Sequence, residues 1–216
     1  MPRDQTMEAQ PERPPLRLGE PAPRFSARST QGPVDLADFR GRWLMLFAHP
    51  ADFTPVCTSE FVALARAAGE FEKLDCALIG ISADSLYSHL AWIRMIHDLT
   101  GETVGFPVVE DPTMEIARAY GMIGRGAQDA GAMRMTCFID PDGVLQASTS
   151  YPANVGRSIP ELLRLLQALQ HTQNGDVLAP ADWQPGDPLF KAPREMASDA
   201  LSGTLPTDWF FTKADK

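Results

Sequence analysis

One cysteine stands where a buried strand gives way to a helix, a setting that activates thiols. Residues 43–48 are continuously apolar, which predicts a strand buried on both faces. After a short loop, Thr54 and Pro55 are typical of a helix N-cap and first helical position. Cys57 then lies in the first turn, where free backbone N–H groups and the helix dipole favour thiolate over thiol. The sequence therefore predicts nucleophilic or redox chemistry at Cys57.

The other two cysteines have a different setting. Cys76 and Cys137 lie inside apolar strand patterns, so we expect both to be inert core residues. No C-x-x-C occurs, so the chain lacks the usual zinc-ligand spacing and the two-cysteine redox motif. The N-terminus has no hydrophobic secretory segment, and free thiols are then expected in a reducing cytoplasm.

Strands and helices alternate along the chain. Strands are predicted at residues 43–48, 76–81 and 135–139, with a returning hairpin arm at 144–149. Helices are predicted after Cys57, after a cap at Asp84 or Ser85, after a cap at Asp111, and across the leucine-rich stretch 162–169. The spacing of Leu86, Leu90, Ile93 and Ile96 predicts the apolar face of the second helix. This order predicts an α/β fold, a central mixed sheet flanked by helices.

The ends of the chain differ from its middle. Residues 1–15 are rich in proline and mixed charge, which is typical of a flexible lead-in. Residues 16–171 form the predicted folded domain. Residues 172–216 have scattered prolines and few apolar runs, which predicts a C-terminal extension that wraps over the main domain or onto a partner subunit.

The charge balance excludes some classes of partner. Among 216 residues, 19 Lys and Arg face 28 Asp and Glu, a net charge of −9. An acidic chain binds nucleic acids and anionic membranes poorly. No apolar run approaches the ~20 residues of a membrane span. We therefore expect neither nucleic acid nor membrane as a partner.

The residues around Cys57 resemble those of a known enzyme family. The pattern Pro50-x-x-x-Thr54-x-x-Cys57 resembles the peroxidatic-site signature of the peroxiredoxins. The longer run from His49 to Glu60 resembles the one-cysteine, peroxiredoxin-6-like subgroup. The resemblance covers roughly residues 16 to 211. It implies a thioredoxin-like fold with a C-terminal extension, and reduction of hydrogen peroxide and organic hydroperoxides, with roles in antioxidant defence and redox homeostasis.

The resemblance also implies roles for the matching residues. Cys57 is the peroxidatic nucleophile, Pro50 shields it, and the hydroxyl of Thr54 hydrogen-bonds the thiolate and the peroxide. Arg134 matches the family's arginine beside the active thiol. A fixed cation suits this chemistry, because attack on the O–O bond pushes negative charge onto the departing oxygen.

Three further residues are implied as supporting groups. Glu60 and Arg157 match a charged pair, and His49 matches a histidine near the sulfur. The residues alone favour a simpler explanation for Arg157 and Arg134, as solvated surface charges. Thr54, likewise, is explained equally well as a helix cap alone. His89 and His97 lie two helical turns apart, so they form no metal-binding pair and are interpreted as surface or packing residues.

No cysteine follows Cys137, so the sequence predicts a one-cysteine enzyme. Its sulfenic acid is then reduced by an external thiol, such as thioredoxin or glutaredoxin with glutathione, unless Cys76 or Cys137 resolves it. We expect no metal, flavin or haem. We expect the chain to form a homodimer or a higher oligomer. Two alternatives remain open: a redox-regulated sensor or oligomeric chaperone, and a hydrolase that pairs Cys57 with His49.

Overall fold

The computed structural model describes residues 16–123, 134–193 and 210–214. The predicted lead-in, residues 1–15, and part of the predicted extension, residues 194–209, lie outside the described residues. The strands are β1 (Ser26–Ser29), β2 (Gly32–Asp35), β3 (Trp43–Ala48), β4 (Cys76–Ser82), β5 (Val108–Glu110), β6 (Arg134–Ile139), β7 (Leu145–Tyr151), β8 (Val177–Leu178) and β9 (Phe190–Lys191). The helices are α1 (Pro55–Lys73), α2 (Leu86–Thr100), α3 (Glu115–Ala119) and α4 (Ile159–Thr172), with a 3-10 turn at Leu36–Phe39.

A seven-stranded sheet organises the described chain, in the order β2-β1-β5-β4-β3-β6-β7. Strands β3, β4 and β5 are parallel to their neighbours in that group, whereas β6, β7, β1 and β2 join the sheet by antiparallel pairing. The predicted α/β class with a central mixed sheet is confirmed. Strand β3 lies inside the sheet, between β4 and β6, and all six of its residues are buried, as its continuous apolar run predicts.

The two faces of the sheet pack into two separate apolar clusters. Alternate residues of β3 point to opposite faces, so Leu44, Leu46 and Ala48 join one cluster. Trp43, Met45 and Phe47 join the other cluster, which also contains Cys57 and residues of α1, α2 and α4. The amino-terminal end of α1 is therefore fixed against the sheet by its own buried side chains.

Helix α2 forms where the sequence predicts it, but its predicted apolar face is only partly correct: Ile96 is buried and Ile93 packs against the core, whereas Leu90 is exposed. Ser85 is the N-cap, and its hydroxyl accepts the N–H of Ser88. The side chains that α2 buries are His89, Trp92 and Ile96, whereas Leu90 is 44% exposed. Both sets recur at helical spacing, so periodicity alone did not decide which face turns inward. The structure buries the face that carries a large aromatic ring.

The third helix begins later than Asp111, although Asp111 still caps it. Helix α3 starts at Glu115, and its N-cap residue is Met114 in a left-handed conformation with φ 60°. The Asp111 carboxylate accepts the N–H groups of Ile116 and Ala117 at 3.3 and 2.8 Å. The Asp111 side chain therefore accepts the free N–H groups at the start of α3, although Asp111 itself lies several residues before the helix.

Five strands were not predicted, among them the two-residue strands β8 and β9 of the extension. The hairpin of β1 and β2 and the three-residue β5 are short. The hairpin strands are also largely polar and partly exposed, so they lack the apolar signal that identifies β3.

The described part of the extension lies against α4. Strands β8 and β9 pair antiparallel. Between them, Trp183 is 2% exposed, and its ring lies 5.4 Å from that of His171. Arg164 of α4 donates to the Trp183 carbonyl at 3.1 Å. The extension therefore uses one aromatic side chain to dock on the last helix. No helix in the described ranges has the length and apolarity needed to span a bilayer.

Gly80 of β4 is expected to resist even a methyl group. A Cβ there would stand 3.1 Å from Cζ of Phe61 and 3.3 Å from Cζ of Phe47. Both rings are fully buried in a dense core, so Gly80→Ala should lower the free energy of unfolding by about 1–3 kcal/mol. Urea unfolding measures it. At the exposed position Gly69 of α1, an added Cβ would have no atom within 4 Å. Gly69→Ala should therefore raise the free energy of unfolding by up to about 1 kcal/mol. Equal stability of the Gly80 variant and wild type would contradict this account of the packing.

Candidate active site

Cys57 lies in the first turn of α1, as predicted, and its side chain is fully buried. Thr54 is the N-cap residue and Pro55 begins the helix. The Thr54 side chain makes no capping bond, however; its hydroxyl donates to the Ala51 carbonyl at 2.9 Å. A hydroxyl has one hydrogen, so Thr54 can donate to a thiolate or peroxide only after that hydroxyl rotates. The role that the resemblance implies for Thr54 therefore stays a prediction.

Arg134 is the polar partner of the Cys57 sulfur. It is the first residue of β6 and is 2% exposed. Its Nη1 donates to Cys57 Sγ at 3.3 Å and to Glu60 Oε2 at 2.7 Å. Its Nε and Nη2 both donate to the Ala153 carbonyl, at 3.0 and 2.6 Å. A permanently charged guanidinium, anchored by three further hydrogen bonds, therefore faces the thiol, and a positive charge there favours thiolate.

Glu60 holds Arg134 and Arg157 together beneath the thiol. Arg157 binds it in a fork, Nε to Oε1 at 2.9 Å and Nη2 to Oε2 at 2.8 Å, and the backbone N–H of Arg157 adds a third bond at 2.8 Å. All three side chains are at least 98% buried. The explanation of both arginines as surface charges is therefore wrong. Their burial could not be read from the residues, because it depends on strands distant in sequence from α1.

The Glu60 carboxylate is held ionised by its partners. Burial alone would raise its pKa, but the hydrogen bonds and charge of Arg157, with the charge of Arg134, outweigh burial and lower the pKa below its usual range. A buried carboxylate between two arginines also neutralises part of their charge. The arginines can then lie close together without leaving an unpaired buried cation.

The Glu60 bridge should make stability depend on acid. Because its pKa is lowered in the folded state, its contribution is present above the ordinary value of about 4.3 and is lost as pH falls through the lower folded value. Glu60→Gln should remove this part of the pH dependence. It should also lower the free energy of unfolding at neutral pH by about 3–5 kcal/mol, because two buried arginines lose their counter-charge. Urea unfolding followed by tryptophan fluorescence across a pH series measures both effects.

A partly exposed ion pair provides the control, with side-chain exposures of 44% for Glu161 and 23% for Arg164. They form a two-bond fork within α4, and because both groups keep contact with solvent, Glu161→Gln should change stability by less than about 1 kcal/mol. Asp52, whose pKa is also lowered in the fold, keeps part of the acid dependence in the Glu60 variant. If Glu60→Gln were as mild as Glu161→Gln, the buried bridge would not contribute to stability.

His49 is fully buried and is bound to a carboxylate. Its Nε2 is hydrogen-bonded to Asp52 Oδ1 at 2.9 Å. Its ring packs edge-on against Phe61 of α1, with 4.9 Å between the ring centroids. Burial lowers the pKa of His49, and the opposing bond and charge of Asp52 do not offset it, so the imidazole is neutral at neutral pH. Its role beside the sulfur stays a prediction.

Asp52 and His89 were not identified from the sequence. His89 Nδ1 lies 2.8 Å from Asp52 Oδ2, and both side chains are buried. The available signal was the helical spacing of His89 with Trp92 and Ile96, which predicts an inward position. Within the described ranges, His49, Asp52 and His89 are also the one group able to offer three metal-ligating atoms within 4.8 Å of one another. The expectation that the enzyme needs no metal stays a prediction.

The remaining predicted residues divide into loop and core. Pro50 is half-buried at the start of the active-site loop, and its shielding role stays a prediction. Cys76 and Cys137 are buried strand residues with free thiols, as predicted. Burial raises the pKa of each thiol to about 12. Neither is therefore a thiolate at neutral pH, which makes both inert.

Known proteins resemble this chain over most of its length. The AhpC/TSA family profile matches residues 18–148, and that of the C-terminal domain of 1-Cys peroxiredoxin matches residues 168–203. Peroxiredoxin 2 of Caldanaerobacter subterraneus is 42% identical over 200 residues, 90% of each chain. The peroxiredoxin of Aquifex aeolicus is 48% identical over 170 residues, covering 78% of this chain and 77% of that protein.

The fold of this chain is also similar to solved structures. A Cys-to-Ser mutant of the peroxiredoxin 6 of Arenicola marina has a TM-score of 0.78 and 36% identity, covering 89% of this chain and 90% of its own. A yeast mitochondrial 1-Cys peroxiredoxin has a TM-score of 0.79 and 34% identity, covering 92% of this chain and all of its own. The fold is thus the thioredoxin-like fold, and the chain belongs to the peroxiredoxin family of thiol-dependent peroxidases.

Proposed function

We propose that Cys57 is the peroxidatic cysteine, which reduces hydrogen peroxide to water and organic hydroperoxides to alcohols. The observation that carries this proposal is the 3.3 Å contact between Arg134 Nη1 and Cys57 Sγ, in a buried cluster at a helix N-terminus. Of the three thiols, Cys57 alone combines a first-turn position with a neighbouring cation. Arg134 rather than His49 is the sulfur's hydrogen-bond donor in the described chain, which disfavours the hydrolase alternative.

The chemistry at Cys57 is a displacement at oxygen. The thiolate attacks one peroxide oxygen, so that an S–O bond forms while the O–O bond breaks. The departing oxygen takes a proton and leaves as water or alcohol, and Cys57 becomes a sulfenic acid. The Arg134 guanidinium stabilises the thiolate before attack. It is also anchored in place to stabilise the negative charge that develops on the leaving oxygen.

An external thiol completes the cycle in this proposal. Cys76 and Cys137 are buried in strand interiors with pKa values near 12, so neither supplies a thiolate to resolve the sulfenic acid. A thiol from outside forms a mixed disulfide with Cys57 and releases water. A second thiol then attacks that disulfide, so that the two external sulfurs leave as a disulfide and the Cys57 thiolate is restored. Thioredoxin, or glutaredoxin with glutathione, fits this step. The similar yeast protein has a thiol-resolving mechanism that uses glutathione and thioredoxin systems.

The domain organisation, the assembly and the cellular compartment are also part of the proposal. We propose a lead-in over residues 1–15, a peroxidase domain over 16–171, and an extension over 172–216 that helps form a homodimer or a higher oligomer. Exposed apolar side chains in the extension support that role, with Leu178 43% and Phe211 62% exposed. Free thiols suit a reducing compartment such as the cytoplasm. No prosthetic group takes part in the proposed cycle.

Mass spectrometry with a sulfenic-acid trap tests the proposed cycle. The reduced protein receives one equivalent of hydrogen peroxide with the trap present, and the modified peptide is identified. One trapped oxygen on Cys57, reversed by added thiol, is the expected result. A disulfide from Cys57 to Cys76 or Cys137 would contradict the external-thiol step. An unmodified Cys57 would contradict the peroxidatic assignment itself.

A further inference from the structure

A row of three buried polar side chains runs from the active-site loop to α2. Asp52 Oδ1 lies 2.9 Å from His49 Nε2, and Asp52 Oδ2 lies 2.8 Å from His89 Nδ1. The side chains of all three are at most 1% exposed. Buried polar groups are costly unless they are paired, so this row is a built feature of the core. The peroxide cycle described above assigns it no role.

The row fixes the positions of its protons. Burial raises the pKa of Asp52, but the hydrogen bonds from His49 and His89 outweigh burial and lower it, so Asp52 is an ionised carboxylate. A carboxylate only accepts hydrogen bonds. The nitrogens that face it, His49 Nε2 and His89 Nδ1, must therefore each carry a hydrogen. A neutral His49 is then left with an unprotonated Nδ1.

His49 Nδ1 is buried and has no hydrogen-bond partner within the described chain. Such an orphan acceptor costs stability unless something binds it at some stage. The His49 ring packs against the helix that carries Cys57. The His49 ring contacts Phe61 and Trp92, and Trp92 Nε1 donates to Thr58 Oγ1 on the turn that follows Cys57.

A second set of bonds holds the same loop in place. The backbone N–H of Asp52 donates to Asp84 Oδ2 at 2.9 Å, and Ser82 Oγ donates to the same oxygen at 2.8 Å. Asp52 is thus tied through its backbone to the end of β4 and through its side chain to α2. A rigid loop of this kind leaves His49 little freedom to turn.

We propose that Asp52 and His89 are positioning residues that hold His49 as the Nε2–H tautomer, with Nδ1 presented as a fixed acceptor beside the Cys57 helix. His89 touches no reacting atom and acts through Asp52. A fixed acceptor there can bind the hydrogen of an incoming peroxide or of the Cys57 sulfenic acid. This role rests on Cys57 being the peroxidatic residue, but the tautomer itself does not.

Histidine ring NMR tests the tautomer directly. The chain has four histidines, so selective ¹⁵N-histidine labelling of the full-length protein gives a simple long-range ¹H–¹⁵N spectrum. His49 should appear neutral with hydrogen on Nε2, and His89 with hydrogen on Nδ1. In Asp52→Asn, the amide can accept from one ring but must offer its N–H to the other, so one of the two histidines should change tautomer.

Two His89 variants separate positioning from packing. His89→Asn keeps an N–H close to the place of Nδ1, whereas His89→Leu fills the space without a donor. In the Leu variant, His49 should show mixed tautomers, and oxidation of Cys57 by hydrogen peroxide should slow by about tenfold. The Asn variant should keep the tautomer and stay within about twofold of the wild-type rate. His97→Leu, an exposed position on the same helix, is the matched control and should change neither.

The outcomes distinguish the two proposals. Hydrogen on His49 Nδ1 in the wild type would overturn the positioning role at once, whether or not the Leu variant folds. So would a His89→Leu enzyme with an unchanged tautomer, whatever its rate. If the tautomer is as expected but Cys57 fails to react with peroxide, the failure belongs to the peroxidatic assignment and not to the row of side chains.

Discussion

Replacing Cys57 with serine is expected to abolish peroxide turnover. The hydroxyl of serine is far less acidic than a thiol, so Arg134 cannot hold it as an anion, and the displacement loses its nucleophile. We expect the steady-state rate with hydrogen peroxide and an external thiol to fall by about a thousandfold or more. The fold should persist, because the substitution changes one atom at a site that retains its buried charge cluster.

The two core cysteines provide the controls for that experiment. Cys76→Ala and Cys137→Ala remove thiols whose high pKa values keep them protonated. Each should lose some stability through a small cavity, yet retain most of the wild-type turnover at temperatures where it stays folded. Turnover that survives in Cys57→Ser, or vanishes in either core variant, would show that another thiol carries the reaction.

The position of Cys57 could be predicted because it depends on local sequence. The continuous apolar run of β3 and the Thr54-Pro55 start of α1 are short-range signals, and both elements form where they predict. The charge cluster depends on chain folding instead. Arg134 and Arg157 lie far from Glu60 in sequence, and the residues alone favour a surface location for both arginines. The family resemblance supplied what local physics could not.

The same limit explains what was missed around His49. A histidine and an aspartate in a loop and a helix suggest surface positions, and the predicted apolar face of α2 pointed Leu90 inward rather than His89. Tertiary packing reversed that choice, because the Trp92 ring fills the space between α2 and α1 and brings His89 in with it. Polar groups that are buried by pairing with one another leave no hydrophobic periodicity to detect.

Removing the charge beside the sulfur should slow the chemistry without dismantling the site. Arg134→Met keeps the length of the side chain but deletes the donor 3.3 Å from Cys57 Sγ. Glu60 retains the fork from Arg157, so one buried ion pair survives. Oxidation of Cys57 by hydrogen peroxide should then fall by about 10²–10³-fold, the usual loss when a donor to developing charge is removed. Alkylation of Cys57 by iodoacetamide at neutral pH should slow as well, because the sulfur loses its neighbouring cation.

The variant Arg134→Lys tests whether a positive charge alone, without the guanidinium geometry, supports the reaction of Cys57 with peroxide. An ammonium supplies a cation but cannot bind the sulfur, Glu60 and the Ala153 carbonyl with the fixed geometry of a guanidinium. Its alkylation rate should therefore recover more fully than its peroxide rate, because attraction between a cation and the sulfur needs no exact geometry, whereas the transition state of peroxide reduction needs aligned donors. Arg66→Met removes an exposed cation of α1 that pairs with Glu102, so it controls for loss of one positive charge and should leave both rates unchanged. Equal peroxide rates in Arg134→Met and wild type would mean that the guanidinium has only a structural role.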